Sequence, residues 1–506
     1  MQKWILTLIC LCMHAAGRLQ PVDLIRDSLD TYIRRGMEEW KVPGLGILIV
    51  KDGQTVVRKC YGWRNMEQRL PFDENTAFFI ASNTKLFTGT VLSVLSYRGK
   101  LSLDDPMRKF FPDFTLYKPS HSAEVTLTDM LSHRIGTEEF QGDFTYWNSN
   151  LTRQQIMQKM RYMKPAMVFR QDFGYCNSCF LSAGEVAAKA GGVSWDRFVT
   201  DSIFMPLGMT NSTVFGNTAP KEFGANIAVP YTLTYDEKFV TVPYDRWENL
   251  GPAASIVSNL TDLEKWVRCQ LDSGRVGAKE IIPWPAIKET RRIRTMISST
   301  RQRQLPINFT GYGLGLFVGD YNGEQTYWHT GGAAGMVSNV CFVPGKNLGI
   351  VILTNSDAQG FFESLRHQIL DHYLGVPYTD RSREDIPDFN AYKKEEYTRI
   401  AALNERVGKA SPPLALGSYT GTYSNTQYGN VTLEKEGDHL RIRFGHHPGL
   451  IGYLHYMDKG DWRLTYNNET YGSFATKFGM ADKRPVSLTL KAKDYVEYGT
   501  YEFRRK

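Results

Sequence analysis

Ser82 and Lys85 stand three residues apart where a short apolar run, Phe79-Ile80-Ala81, gives way to a helical pattern. On a helix that spacing puts hydroxyl and amine one above the other on a single face. A serine hydroxyl is a poor nucleophile until a neighbour takes its proton, and a lysine can do so where burial and nearby positive charge keep its amine partly neutral. The helix N-terminus favours negative charge on the serine oxygen as well. Serine and lysine also fall at this spacing on many solvated helices, so the pair gains meaning only from partners elsewhere in the chain. Two stretches offer them. Tyr175-Cys176-Asn177 carries a phenol and a two-sided amide, and His329-Thr330-Gly331-Gly332 carries an imidazole followed by bare backbone to which a substrate can come close.

Other chemistries find less support. Cys176 and Cys179 copy a redox spacing but open a helix without βαβ surroundings, which leaves a local disulfide or two buried thiols. His439, His446 and His447 lack cysteine or acidic ligand partners and read as solvated turn residues, and His133 reads as a backbone-bonding structural group. No metal site and no cofactor is expected. Arg275 replaces the glycine that would complete a trypsin-like nucleophile after Asp272-Ser273-Gly274, and no Gly-x-Ser-x-Gly elbow occurs.

The elements that must hold these residues are legible from periodicity. Val22, Ile25, Leu29, Tyr32 and Ile33 recur at helical spacing, and strands 45–50 and 55–58 flank an Asp52-Gly53 turn. A meander of strands over 312–318, 326–329, 338–343 and 348–354 follows far downstream, and a helix over 361–374 closes it. Between the halves lie helix signals near 84–98, 124–133, 177–190, 194–202 and 261–273. These imply an α/β (α+β) fold: an antiparallel sheet from both chain ends, flanked by terminal helices, beside a large, mostly helical subdomain, with a cleft between them for the site. Residues 377–413 are rich in charge and proline and read as a solvated linker; 414–506 alternate in short runs and read as a small all-β module.

With 506 residues, 42% hydrophobic and 22% charged, the chain can bury large cores, and a net charge of +7 spread without dense basic blocks argues against a nucleic-acid partner. Lys3, the apolar run Trp4 to Cys12 and Ala15-Ala16-Gly17 give residues 1–17 the pattern of a secretory signal, too short for a membrane anchor. Removing Cys10 and Cys12 leaves Cys60, Cys176, Cys179, Cys269 and Cys341, an odd number. Asn150, Asn211, Asn259, Asn308, Asn430 and Asn468 each open an N-glycan acceptor pattern, which suits a secreted extracellular glycoprotein.

Taken in order, Ser82-Asn83-Thr84-Lys85, Tyr175-Cys176-Asn177 and His329-Thr330-Gly331-Gly332 resemble the three motifs of the serine β-lactamase and penicillin-binding-protein family, particularly its class C, D-Ala-D-Ala carboxypeptidase and esterase branch. The resemblance spans about Val22 to Leu374 and is supported by 99–106, Leu131-Ser132-His133 and 206–210; the 18–376 region would be the catalytic domain and 414–506 a lipocalin-like barrel. It implies that Ser82 forms an acyl-enzyme, Lys85 takes or relays the proton, and Tyr175 shuttles it from a lowered pKa in a cationic neighbourhood supplied by Lys85 and His329. Asn177 would hold the lysine and a substrate amide. His329, Thr330, Gly331 and Gly332 would line the substrate strand, with the N–H groups of Ser82 and Gly332 as an oxyanion hole. The implied substrate is a small peptide, amide or ester. Three departures bear on the pocket: His329 where most β-lactamases carry lysine, Arg134-Ile135-Gly136 where relatives carry Thr-Ser-Gly, and 251–255 where they carry Ala-Gly-Gly. Secreted animal members include mollusc shell-matrix proteins, so the alternative is a non-catalytic matrix glycoprotein that keeps the fold as a scaffold, in contact with extracellular matrix or with further copies of itself.

Overall fold

The computed structural model describes residues 23–506, so the signal-like residues 1–17 lie outside the described residues. After the opening turn, helix α1 (Leu29–Glu39) leads into strands β1 (Gly44–Lys51), β2 (Gln54–Asn65) and β3 (Leu70–Pro71). Helices α2 (Thr84–Tyr97), α3 (Asp143–Tyr146), α4 (Asn177–Gly191) and α5 (Leu260–Leu271) belong to the insert between the sheet's two halves. The sheet then resumes as β4 (Thr295–Ser298), β5 (Thr310–Tyr312), β6 (Phe317–Tyr321), β7 (Glu324–Ala333), β8 (Met336–Val343) and β9 (Leu348–Thr354), followed by α6 (Phe361–Leu374). All nine strands form one sheet in the order β4-β5-β6-β7-β8-β9-β1-β2-β3, and its described pairings are antiparallel.

The central strands read as unbroken apolar runs because both faces are covered. Ile47, Ile49, Ile350 and Ile352 turn toward α1 and α6, where they meet Ile33, Phe361 and Leu365. Leu48, Val50, Val351 and Leu353 turn the other way, onto Phe87, Trp266 and Val267 of α2 and α5. The period of two along each strand thus divides one sequence between two cores.

Within residues 377–413, read as a solvated linker, the chain is helical rather than irregular. Arg381–Arg406 form a continuous helix, α7, whose N-terminus is capped by the Asp380 side chain. Its first turn is pinned by buried polar bonds: Arg381 donates to Asp371 at 2.6 Å, Ser382 N–H to Tyr32 at 3.0 Å, and Trp40 to the Ser382 hydroxyl at 2.8 Å. Its far end pairs Arg406 with Asp458 and Asp461. The charge that looked like solvated linker is that of a helix spanning two domains, which needs only a thin apolar stripe.

The last domain is a closed barrel of eight strands, from Gly421–Asn425 to Thr500–Arg505, sealed by pairing of its first and last strands. Its interior is filled by Tyr423, Trp462, Phe478 and Phe503, so it is a packed core. Phe144 of α3, from the insert between the sheet's two halves, is buried among those barrel aromatics. His447 is buried rather than solvated: it bonds the Tyr428 hydroxyl at 2.5 Å and donates to the Trp147 carbonyl at 2.8 Å, joining the barrel to the insert. The five cysteines among the described residues are free thiols, and four of them are buried.

Candidate active site

Ser82 sits on a single tight turn, Ala81–Asn83, that runs directly into α2. Ala81 takes a left-handed φ of 49°, a strained conformation for alanine that turns the chain sharply at the nucleophile. Asn83, fully buried, ties this turn to the sheet. In the orientation that satisfies both ends, its amide donates to the His329 carbonyl at 2.9 Å and accepts from Ser338 at 2.8 Å. Gly331 allows the close approach, since a β-carbon there would lie 2.0 Å from the Ile80 carbonyl oxygen.

Lys85 is wholly buried one helical turn on. Its Nζ donates to the Ser82 Oγ at 3.1 Å, the Asn177 Oδ1 at 2.7 Å and the Ala253 carbonyl at 2.9 Å, and it lies 4.7 Å from the centre of the Tyr175 ring. Burial lowers its pKa from 10.5 to about 7, against the opposing pull of Asp143. Asn177, the first residue of α4, uses its other end to donate to the Asp143 Oδ2 at 2.6 Å.

Tyr175 lines the same cavity as Ser82, and its ring rests 4.2 Å, centre to centre, from that of His133. His133 in turn accepts from the Cys176 N–H at 3.0 Å. Burial pushes the Tyr175 hydroxyl above its ordinary value, opposite to the lowered value expected. His329 does not supply positive charge either. Its Nδ1 donates to the Thr330 carbonyl at 2.7 Å, so its Nε2 accepts from Tyr312 at 2.9 Å, and burial holds its pKa near about 3. Lys85, at 3.1 Å from the Ser82 oxygen, is thus poised to gain or lose a proton near neutrality.

Ser82, Tyr175, Asn177, His329, Thr330 and Gly332 line a cavity of about 600 Å³ between sheet, insert and barrel. Lys85, wholly buried, and Gly331, packed against Ile80, are not among its lining residues. Of the departures, 251–255 reaches the site, with Ala254 in the wall, whereas Arg134 turns away to pair with Asp129. Residues that local sequence patterns did not mark complete the cavity: Asp143, the aromatic walls Phe140, Trp147 and Trp247, and Tyr392, Asp494, Tyr495 and Tyr498 from α7 and the barrel. A β-carbon on Gly332 would lie 3.0 Å from the Tyr495 hydroxyl, so the barrel reaches the rim of the site. The only available signal was the loop 492–499, an interruption between two well-patterned strands.

The glycan-acceptor asparagines are scattered. Asn150, Asn211, Asn308 and Asn430 are exposed and Asn468 half-buried. Asn259 is fully buried, its side chain accepting from the Asp262 N–H to cap α5, and cannot carry a glycan in this fold.

The profile of the family described as Beta-lactamase matches residues 29–374, and that of a domain of unknown function, DUF3471, matches 405–505. Among proteins of known name, Protein flp of Staphylococcus aureus (strain COL) is 27% identical over 356 residues, covering 69% of this chain and 67% of its own. Unguisins hydrolase ungD of Aspergillus violaceofuscus is 22% identical over 428 residues, covering 79% and 75%. The octameric penicillin-binding protein homologue from Pyrococcus abyssi shares the fold with a TM-score of 0.61 at 22% identity, over 94% of this chain and 98% of that one.

Proposed function

The chain belongs to the β-lactamase family, and from that premise we propose that it hydrolyses an amide or ester through a covalent acyl-enzyme on Ser82. The observation that carries the proposal is the buried Lys85 amine, drawn to about 7 and 3.1 Å from the Ser82 oxygen. Neutral Lys85 takes the hydroxyl proton as Oγ attacks the substrate carbonyl carbon. The oxyanion that forms is received by the main-chain N–H groups of Ser82 and Gly332, donors of a kind worth about 3–4 kcal/mol each in favourable cases. As the carbonyl re-forms, the proton passes from Lys85, by way of the Tyr175 hydroxyl, to the departing nitrogen or oxygen. Water then enters by the reverse route and frees the acid.

The cavity also argues for a class of substrate. Its walls are aromatic, its acidic lining residues are Glu139, Asp143 and Asp494, with burial raising the pKa of Glu139 and, well above the ordinary value, that of Asp143, and His329 is neutral. Such a site suits an apolar acyl group that is uncharged or cationic, and offers no cation to a substrate carboxylate. This agrees with the aminopeptidase and esterase side of the family more than with penicillin hydrolysis or a carboxypeptidase. We place the protein outside the cell, on the signal-like residues 1–17 and the exposed acceptor asparagines.

The test is covalent labelling. A fluorophosphonate or penicillin probe incubated with the mature protein should add its mass to Ser82, and Ser82→Ala should take up none. No adduct across a range of pH would leave the matrix-scaffold reading in its place.

A further inference from the structure

We propose that Glu497 of the barrel is a positioning residue for the catalytic amine: by gripping the turn that carries Asp143 it holds Asp143 on Asn177, and so Lys85 at Ser82. The inference rests on the acyl-enzyme reading above and goes beyond it, because it makes the barrel a working part of the catalytic site.

The grip is specific. Glu497, 4% exposed, lies in the barrel loop between the last two strands. One carboxylate oxygen accepts from the Gly142 N–H at 2.8 Å; the other accepts from the Phe144 N–H at 2.9 Å and the Tyr501 hydroxyl at 2.9 Å. Those two main-chain donors flank Asp143. The residues on either side are docked as well: Phe144 is buried in the barrel core, and Thr145 donates to the Tyr501 hydroxyl at 3.2 Å.

Asp143 itself points away from the barrel, into the site. It meets Asn177 at 2.6 Å, and Asn177 meets the Lys85 Nζ at 2.7 Å. The Asp143 Oδ1 is buried without a hydrogen-bond partner among the described residues, so nothing else fixes that carboxyl except its own backbone. α3 is a single turn, too short to hold a position by its own hydrogen bonds. Its place is set from outside, by the burial of Phe144 and the Thr145–Tyr501 bond and, on the two main-chain N–H groups that flank Asp143, by Glu497.

The experiment compares full-length variants by p-nitrophenyl butyrate turnover and by NMR titration of ¹³C-labelled Lys85. Glu497→Gln keeps the shape but presents an NH₂ to one of two N–H donors. It should lower kcat about 10- to 100-fold, the scale of a displaced catalytic group, with KM within about threefold. Tyr501→Phe leaves both main-chain bonds and should stay within about twofold of wild type. Combined with Asp143→Asn, Glu497→Gln should lose no more than the larger single loss, since both act through one carboxyl. If Glu497→Gln fails to fold, Glu497→Asp, a carboxylate one methylene shorter, should show the same fall in kcat.

The NMR arm separates the two ideas. A wild-type Lys85 midpoint near 7 that moves in the folded Glu497 variant supports the grip even if no ester is turned over, an outcome that would count against the hydrolase reading alone. Unchanged kcat and an unchanged Lys85 midpoint in a folded variant, or losses that multiply in the double variant, would overturn the proposal.

Discussion

Acylation of Ser82 should follow the deprotonation of Lys85. At its ordinary value of 10.5 a lysine amine is neutral in about one molecule in three thousand at pH 7; brought to about 7 by burial it is neutral in half, a gain of about a thousandfold in competent base. The same displacement corresponds to about 5 kcal/mol of differential desolvation, which the fold carries as a stability penalty. The assay is the second-order rate of fluorophosphonate labelling between pH 5 and 9. It should rise about tenfold per pH unit below 6 and level off above 8, with a midpoint near 7. Lys85→Met should flatten the curve and lower the plateau by about 10²–10⁴. A stability readout checks the same physics. The folded-state value lies below the unfolded one, so the unfolded chain binds more protons from about pH 7 to 10.5. Wild type should therefore gain stability relative to Lys85→Met as pH rises through that window, with the penalty fully present below it. A labelling rate independent of pH, or a midpoint above 9, would refute Lys85 as the base.

Tyr175→Phe removes a hydroxyl from the cavity that Ser82 lines while keeping the ring against His133, and should lower turnover by about 10²-fold with little change in melting temperature. Gly331→Ala drives a methyl to 2.0 Å from the Ile80 carbonyl, so it should cost about 1–3 kcal/mol in denaturant titration and abolish labelling by displacing the Ser82 turn. Asn259→Ala should cost about 1 kcal/mol through the lost cap on α5, and intact-mass analysis of protein made in a glycosylating host should find no sugar at Asn259.

The chemistry-bearing residues were legible because their local signals are strong. A serine and lysine one turn apart after an apolar run, and glycines after a strand histidine, each reflect a backbone demand within a few residues, and the strands around 45–58 and 312–354 carry clear alternation. The helix over 381–406 was not legible, because a polar helix bridging two domains and a solvated linker share one composition. His447 and Asn259 were misjudged for the same reason: a turn histidine and an acceptor pattern look alike whether the side chain meets water or, as here, a tyrosine hydroxyl and a helix N-terminus.

By itself the sequence determined the sheet halves, the nucleophile turn and the residue types at Ser82, Lys85, Tyr175 and His329. Protonation was decided only in three dimensions. Burial and hydrogen-bond direction make Lys85 the titrating group, keep His329 neutral and hold Tyr175 as a phenol, and those depend on every atom packed around them. The arrival of Tyr495 and Tyr498 at the site, and of Glu497 at the turn that carries Asp143, was decided there too. They lie hundreds of residues from Ser82, and the docking of Phe144 into the barrel, with the Glu497 bonds beside it, brings their loop to the turn that carries Asp143.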